Sequence, residues 1–168
     1  MGAVVLVAGS VWAAFSTSEE LSKSDRKTAP LAGAAKIFSL EDVREGHAAV
    51  RLLDFRGMPV VLNFFGSWCP PCLREMPDFQ AVSERHKDRV AFIGITVSDT
   101  RPGAQQVLKD TGVTYPAGFD PENKVALAYG VTGMPTTVFI SPKGELLQKA
   151  SGELNEPQLE SLLDRFFF

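Results

Sequence analysis

The sequence predicts an α/β fold, a mixed central β-sheet flanked by helices on both faces. Three observations carry that reading. Two apolar runs, Val60–Phe65 and residues 90–97, are continuous enough to be strands buried on both sides. Each is followed by a segment with helical spacing, as expected of strand–helix–strand units. A third run, Thr136–Ile140, instead meets Ser141-Pro142-Lys143-Gly144, a turn that sends residues 145–150 back antiparallel. The 168 residues suffice for one well-buried domain and are too few for two ordinary ones.

In chain order, residues 37–40 form a short strand candidate. Glu45-Gly46 is a turn, and residues 49–52 return as a hairpin partner. Arg56-Gly57-Met58-Pro59 breaks the chain before the central strand. Residues 78–86 read as a helix, with Phe79 and Val82 on its inner face. Residues 103–111 form another helix, closed by Gly112 as a C′ residue. Residues 113–119 are extended, and Asp120-Pro121-Glu122-Asn123 opens a short helix running to Tyr129 and ending before Gly130. Asn155 followed by Gln158 reads as a capping box for the last helix, whose apolar side is Leu159, Leu162, Leu163 and Phe166. Phe65, Phe79, Phe92, Phe119 and Phe139 are assigned to the core. No internal repeat interrupts the pattern.

Residues 2–15 carry no charge and are rich in Val, Ala and Leu. As a helix they would span about 21 Å, short of the roughly 30 Å hydrocarbon core and suited to the apolar centre of an export signal. The usual basic flank is missing. The expectation is therefore a start inside a longer signal or anchor, or a cleavage near Ala13-Ala14. Residues 16–36 are rich in Ser, Lys and Ala with no apolar period and read as a tether. The expected division is signal or anchor remnant 1–15, tether 16–36 and folded domain 37–168, exported to the outer face of the cell membrane or the periplasm. A net charge of −3, from 17 basic and 20 acidic residues, offers no electrostatic case for nucleic acid.

The chemistry is concentrated where the central strand ends, in Gly66-Ser67-Trp68-Cys69-Pro70-Pro71-Cys72. A strand delivers Cys69 to the start of a helix, where unpaired backbone N–H groups and the helix dipole favour negative charge. A thiolate at Cys69 is stabilised there, below the free thiol value of about 8.5. Cys72, one helical turn on, is placed to attack a mixed disulfide formed at Cys69. Such a pair is built for dithiol–disulfide exchange. A zinc site would need four ligands. His86 follows the cysteines at a finger-like distance, but the fourth ligand could only be His47, which sits upstream with no knuckle spacing around it. A disulfide with two intervening residues restrains too little of the unfolded chain to be structural. Both histidines remain unassigned.

Trp68-Cys69-Pro70-Pro71-Cys72 together with Gly133-Met134-Pro135-Thr136-Thr137 resembles the thioredoxin superfamily, over residue 37 to the C-terminus. The resemblance implies a thioredoxin-like fold with Pro135 as a cis-proline facing the cysteines. Within the superfamily the chain is most similar to the exported TlpA/ResA/CcmG group of thiol-disulfide oxidoreductases. Cytosolic thioredoxins have an aspartate where Asn63 stands; here the carboxylate comes after the motif, at Glu75, as in ResA-like members. The N-terminal hairpin and an inserted strand and helix around residues 115–129 fit the same group.

The expected roles follow. Cys69, at an exposed helix start, attacks; Cys72 resolves. Glu75, one turn further, leans back under the pair and takes the proton from Cys72. Trp68, Pro71, Met134 and Pro135 meet the substrate, with the Met134 backbone pairing to a substrate strand. The expected partners are proteins bearing disulfides or thiols, apocytochrome c among them, and a membrane thiol-disulfide electron donor. A monomer with no cofactor and no metal is expected. The alternatives are an oxidant of secreted thiols and a peroxiredoxin-type peroxide reductase. The second fits poorly, because its resolving cysteine usually lies far from the first.

Overall fold

The computed structural model describes residues 33–168. Residues 1–32, with the expected export segment and most of the expected tether, lie outside the described residues. Among the described residues no helix is long and apolar enough to cross a membrane.

The chain runs β1 (Ser39–Leu40), β2 (Val50–Arg51), a 3-10 turn (Leu52–Phe55), β3 (Val60–Phe65), α1 (Pro70–His86), β4 (Ala91–Val97) and α2 (Arg101–Thr111). It continues through β5 (Ala117–Asp120), α3 (Lys124–Ala128), β6 (Thr136–Ile140), β7 (Leu146–Ser151) and α4 (Glu156–Phe167). The five-stranded sheet has the order β5-β4-β3-β6-β7. β3 is central, parallel to β4 and antiparallel to β6. The predicted mixed sheet, N-terminal hairpin and strand–helix insertion are all present.

Every residue of β3 is buried, because each face of the sheet has its own cover. Val61 and Phe65 face a cluster built with Phe79 and Val82 of α1, Val107 and Leu108 of α2, and Leu159 and Leu163 of α4. Leu62 and Phe64 face the opposite cluster, with Phe38 and Val50 of the hairpin region, Val125 of α3, Tyr129 and Val138. Of the five phenylalanines assigned to the core, four are buried. Phe119 is half-buried, with the Arg101 guanidinium 4.5 Å above its ring.

The hairpin is fastened to the β5 edge. The Val43 N–H donates to the Ala117 carbonyl at 2.7 Å, and the Phe119 N–H to the Glu41 carbonyl at 2.8 Å. The buried Asp42 accepts from the Arg44 guanidinium at 2.9 and 3.0 Å. At the opposite edge the Leu146 N–H donates to Gly33 at 2.9 Å, and the Ala35 N–H to Gly144 at 2.8 Å. Gly33, the first described residue, thus already touches the domain, four residues before the boundary read from the sequence.

Candidate active site

Every piece of the site hangs from the C-terminal end of β3. Gly66 follows the strand, and the Cys69 N–H donates back to its carbonyl at 3.0 Å. Cys69 is the N-cap of α1, and Pro70 and Pro71 fill the first two helical positions. Neither proline has an N–H. The first backbone donor in the helix is therefore Cys72, whose N–H reaches the Cys69 Sγ at 3.3 Å. The two sulfurs are joined in a disulfide of 2.02 Å.

The sequence led us to expect Cys69 at an exposed helix start, and this is corrected. Cys69 is 3% exposed and Cys72 has no exposed surface. In this oxidised state the Cys69 sulfur is bonded to a fully buried partner, which turns the side chain inward onto the cluster holding Phe79 and Met76. Pro70 is exposed and Pro71 half-buried, so the outer surface beside the disulfide is proline and tryptophan.

Trp68 is 53% exposed, yet its indole is anchored. Its N–H is shared between the carbonyls of Val97 at 3.0 Å and Ser98 at 3.1 Å. The ring lies over Gly66, where a Cβ would come within 2.7 Å of Nε1. Glycine is what lets the ring lie there. The neighbouring Ser67 is pinned by Asp99, which accepts from its N–H at 2.6 Å and its hydroxyl at 2.7 Å. Asp99 also accepts from the Thr100 N–H at 2.8 Å, next to the Thr100 cap of α2. Sequence reasoning missed Asp99. The signal available was an acid and a hydroxyl directly before Arg101-Pro102, the kind of pair that opens a helix.

Glu75 is 1% exposed rather than a solvated surface carboxylate. Its Oε1 accepts from Asn63 Nδ2 at 2.8 Å, and its Oε2 from the Leu154 N–H at 3.0 Å. Burial pushes its pKa up from the ordinary 4.5 to about 7; the two hydrogen bonds pull it back, and the Glu153 carboxylate pushes it further up. The asparagine that distinguishes this chain from cytosolic thioredoxins is thus a direct partner of the displaced carboxylate. Among the described residues the Asn63 Oδ1 has no partner, nor has the hydroxyl of Thr137, its register partner on β6.

The Met134–Pro135 bond is cis. Because β6 runs antiparallel to β3 with Phe64 opposite Thr136, Pro135 lies at the sheet end from which the cysteine loop emerges. Met134 packs against the cluster containing both cysteines. Of the two histidines, His47 is exposed. His86 is tied to Glu160 at 2.8 Å and stacks on Phe168. Among the described residues no group of acids, histidines and cysteines is arranged to hold a metal.

A family model described as Redoxin matches residues 30–163. The thiol-disulfide oxidoreductase ResA of Oceanobacillus iheyensis is 32% identical over 96% of this chain and 83% of its own length. Two solved structures share the architecture. A thiol:disulfide interchange protein of the thioredoxin family from Chlorobium tepidum superposes with a TM-score of 0.73 at 24% identity, covering 80-odd per cent of this chain (83%) and 99% of that one. A DsbF homologue from Corynebacterium diphtheriae does so with a TM-score of 0.70 at 29% identity, over 84% and 89%. A disulfide at the N-terminus of a helix on a thioredoxin-like sheet, matched in these ways, means that the chain belongs to the Redoxin family, among its ResA-like thiol-disulfide oxidoreductases.

Proposed function

We propose that this chain is an extracytoplasmic reductase of protein disulfides, acting as a monomer through Cys69 and Cys72, with the haem-binding cysteines of apocytochrome c as its substrate. The observation that carries the direction is the poverty of donors at Cys69: among the described residues only the Cys72 N–H reaches its sulfur, and both intervening residues are prolines without an N–H. A thiolate with few donors is weakly stabilised, and a nearby carboxylate that ionises near neutrality opposes it further. A weakly stabilised thiolate makes the dithiol the better electron donor.

In the reaction the Cys69 thiolate attacks one sulfur of the substrate disulfide. The other sulfur leaves as a thiolate and takes a proton from water. Glu75 accepts the proton of the Cys72 thiol, and the Cys72 thiolate then attacks the Cys69 sulfur of the mixed disulfide. The Cys69–Cys72 disulfide forms and the second substrate sulfur leaves as a thiolate that takes up the proton held by Glu75, so the substrate gains two electrons and two protons. A membrane thiol-disulfide donor restores the dithiol. Trp68 and Pro71 on one side, and the backbone of Met134 beside Pro135 on the other, hold the substrate segment. The name of the Oceanobacillus relative supports this reading, as does the apolar segment at residues 2–15.

Equilibration in glutathione buffers tests the direction. The expected potential lies nearer that of thioredoxin, at about −270 mV, than that of DsbA, at about −120 mV. A value near the oxidising end overturns the reductase reading in favour of an oxidant of secreted thiols.

A further inference from the structure

We propose that Asn123, more than fifty residues along the chain from the cysteines, is a positioning residue that sets the orientation of Trp68 and so the grip on protein substrates. The inference rests on the reading of Trp68 as a substrate-facing residue. Among the described residues only two that are not glycine have a left-handed backbone, Ser98 at φ 51° and Asn123 at φ 58°. They are bonded to each other at two points. The Ser98 N–H donates to the Asn123 Oδ1 at 2.6 Å, and the Asn123 Nδ2 donates to the Ser98 hydroxyl at 2.7 Å.

Serine has no steric welcome in that region of backbone space, whereas asparagine tolerates it. The carboxamide of Asn123 offsets the cost at Ser98 by satisfying its N–H and its hydroxyl together. The consequence falls on the carbonyls of Val97 and Ser98, which both accept the indole N–H of Trp68. With Ser98 in an ordinary extended conformation, the two successive carbonyls would point in alternate directions and the shared bond would be lost.

Asn123 is itself held from behind. Its N–H donates to the Asp120 carbonyl at 3.1 Å, and Asp120 is the register partner of Val97 across β4 and β5. The Asp120 carboxylate accepts from the N–H groups of Val125 at 2.9 Å and Ala126 at 3.0 Å. The strand–helix insertion thus carries a rigid arm that ends on the exposed aromatic beside the disulfide. A fixed aromatic wall costs less ordering when a substrate docks than a free one does.

The test uses the full chain with Trp12→Phe, which leaves Trp68 as the reporting tryptophan. The readouts are steady-state reduction of insulin disulfides and the fluorescence anisotropy of Trp68. Asn123→Gly, which removes the carboxamide and leaves the left-handed backbone unstrained, is expected to raise KM about threefold to tenfold, the scale of one or two lost hydrogen bonds, with kcat changed less than about twofold. It is also expected to lower the anisotropy. Adding Ser98→Gly is expected to bring both readouts at least halfway back, because glycine takes the left-handed conformation unaided. If Asn123→Gly does not unfold cooperatively, Ser98→Ala carries the test, since it removes the hydroxyl that accepts from the Asn123 Nδ2. An unchanged KM and anisotropy in the folded variant, or a loss in kcat that Ser98→Gly does not relieve, overturns the proposal. A wild-type chain that exchanges with neither insulin nor glutathione removes the oxidoreductase reading instead, and the anisotropy still decides whether Asn123 sets the orientation of Trp68.

Discussion

Replacing Glu75 by glutamine is expected to change how stability depends on pH, by an amount the structure supplies. The Glu75 carboxyl is raised from its ordinary 4.5 to about 7, chiefly by burial. The folded chain therefore holds this proton more firmly than the unfolded chain does. The associated stabilisation is complete below about pH 4.5 and is lost as pH rises through about 7. At 1.36 kcal/mol per pH unit of displacement, the loss is about 3 kcal/mol. The amide does not titrate, so urea midpoints measured from pH 4.5 to 8, disulfide intact, should show the variant gaining about 3 kcal/mol on the wild type as pH rises. The pocket tolerates the change. The Leu154 N–H keeps an oxygen acceptor, and rotation of the Asn63 amide presents its unpartnered Oδ1 to the new donor. Asp42 and Glu160 are shifted in the opposite sense, but both remain in the variant and cancel in the comparison. Parallel curves across that range would refute the claim that Glu75 is a strained buried acid.

Three further outcomes are expected. Cys72→Ser should accumulate mixed disulfides through Cys69, visible on non-reducing gels, and Cys69→Ser few or none; equal accumulation would reverse the assigned roles. In stopped-flow exchange, the wild-type resolving step should accelerate with pH through about 7 as Glu75 becomes able to accept a proton, and Glu75→Gln should be slow at every pH. Rates that match at all pH values would leave Glu75 without a part in proton transfer. Gly66→Ala places a methyl 2.7 Å from the Trp68 Nε1 and 3.2 Å from the Val97 carbonyl. It should displace the indole and cost about 1–3 kcal/mol, and an unaltered melting temperature with unaltered Trp68 emission would count against the packing described.

What the sequence made legible was whatever lies within one turn or one strand. β3 was read to the residue from its unbroken apolar run, and the capping box of α4 from Asn155 and Gln158. Helix α1 was read as a start at Cys69 and a body from residue 78; it is one continuous helix that runs through Pro77, with no N–H there for the Leu73 carbonyl. The opening of α3 was placed too early. Asp120 closes β5, and its carboxylate caps the helix from outside. The supports of the site were invisible for a different reason. Asn63, Leu154 and Asp99 meet their partners 12, 79 and 32 residues away, and no local spacing encodes such meetings.

The fastening of residues 33–43 to both edges of the sheet bears on how the chain emerges during synthesis. The bridge partners are Ala34 with Glu145 and Asp42 with Gly118, so in each pair the covering residue is made long before the edge it covers. Unpaired strand edges are templates for aggregation while a chain is incomplete. Here the covers are already outside the ribosome when β5, and later β7, first acquires an edge to expose. The N-terminal strap waits for the sheet, and the interval in which another chain can add to either of those bridged edge positions is correspondingly short.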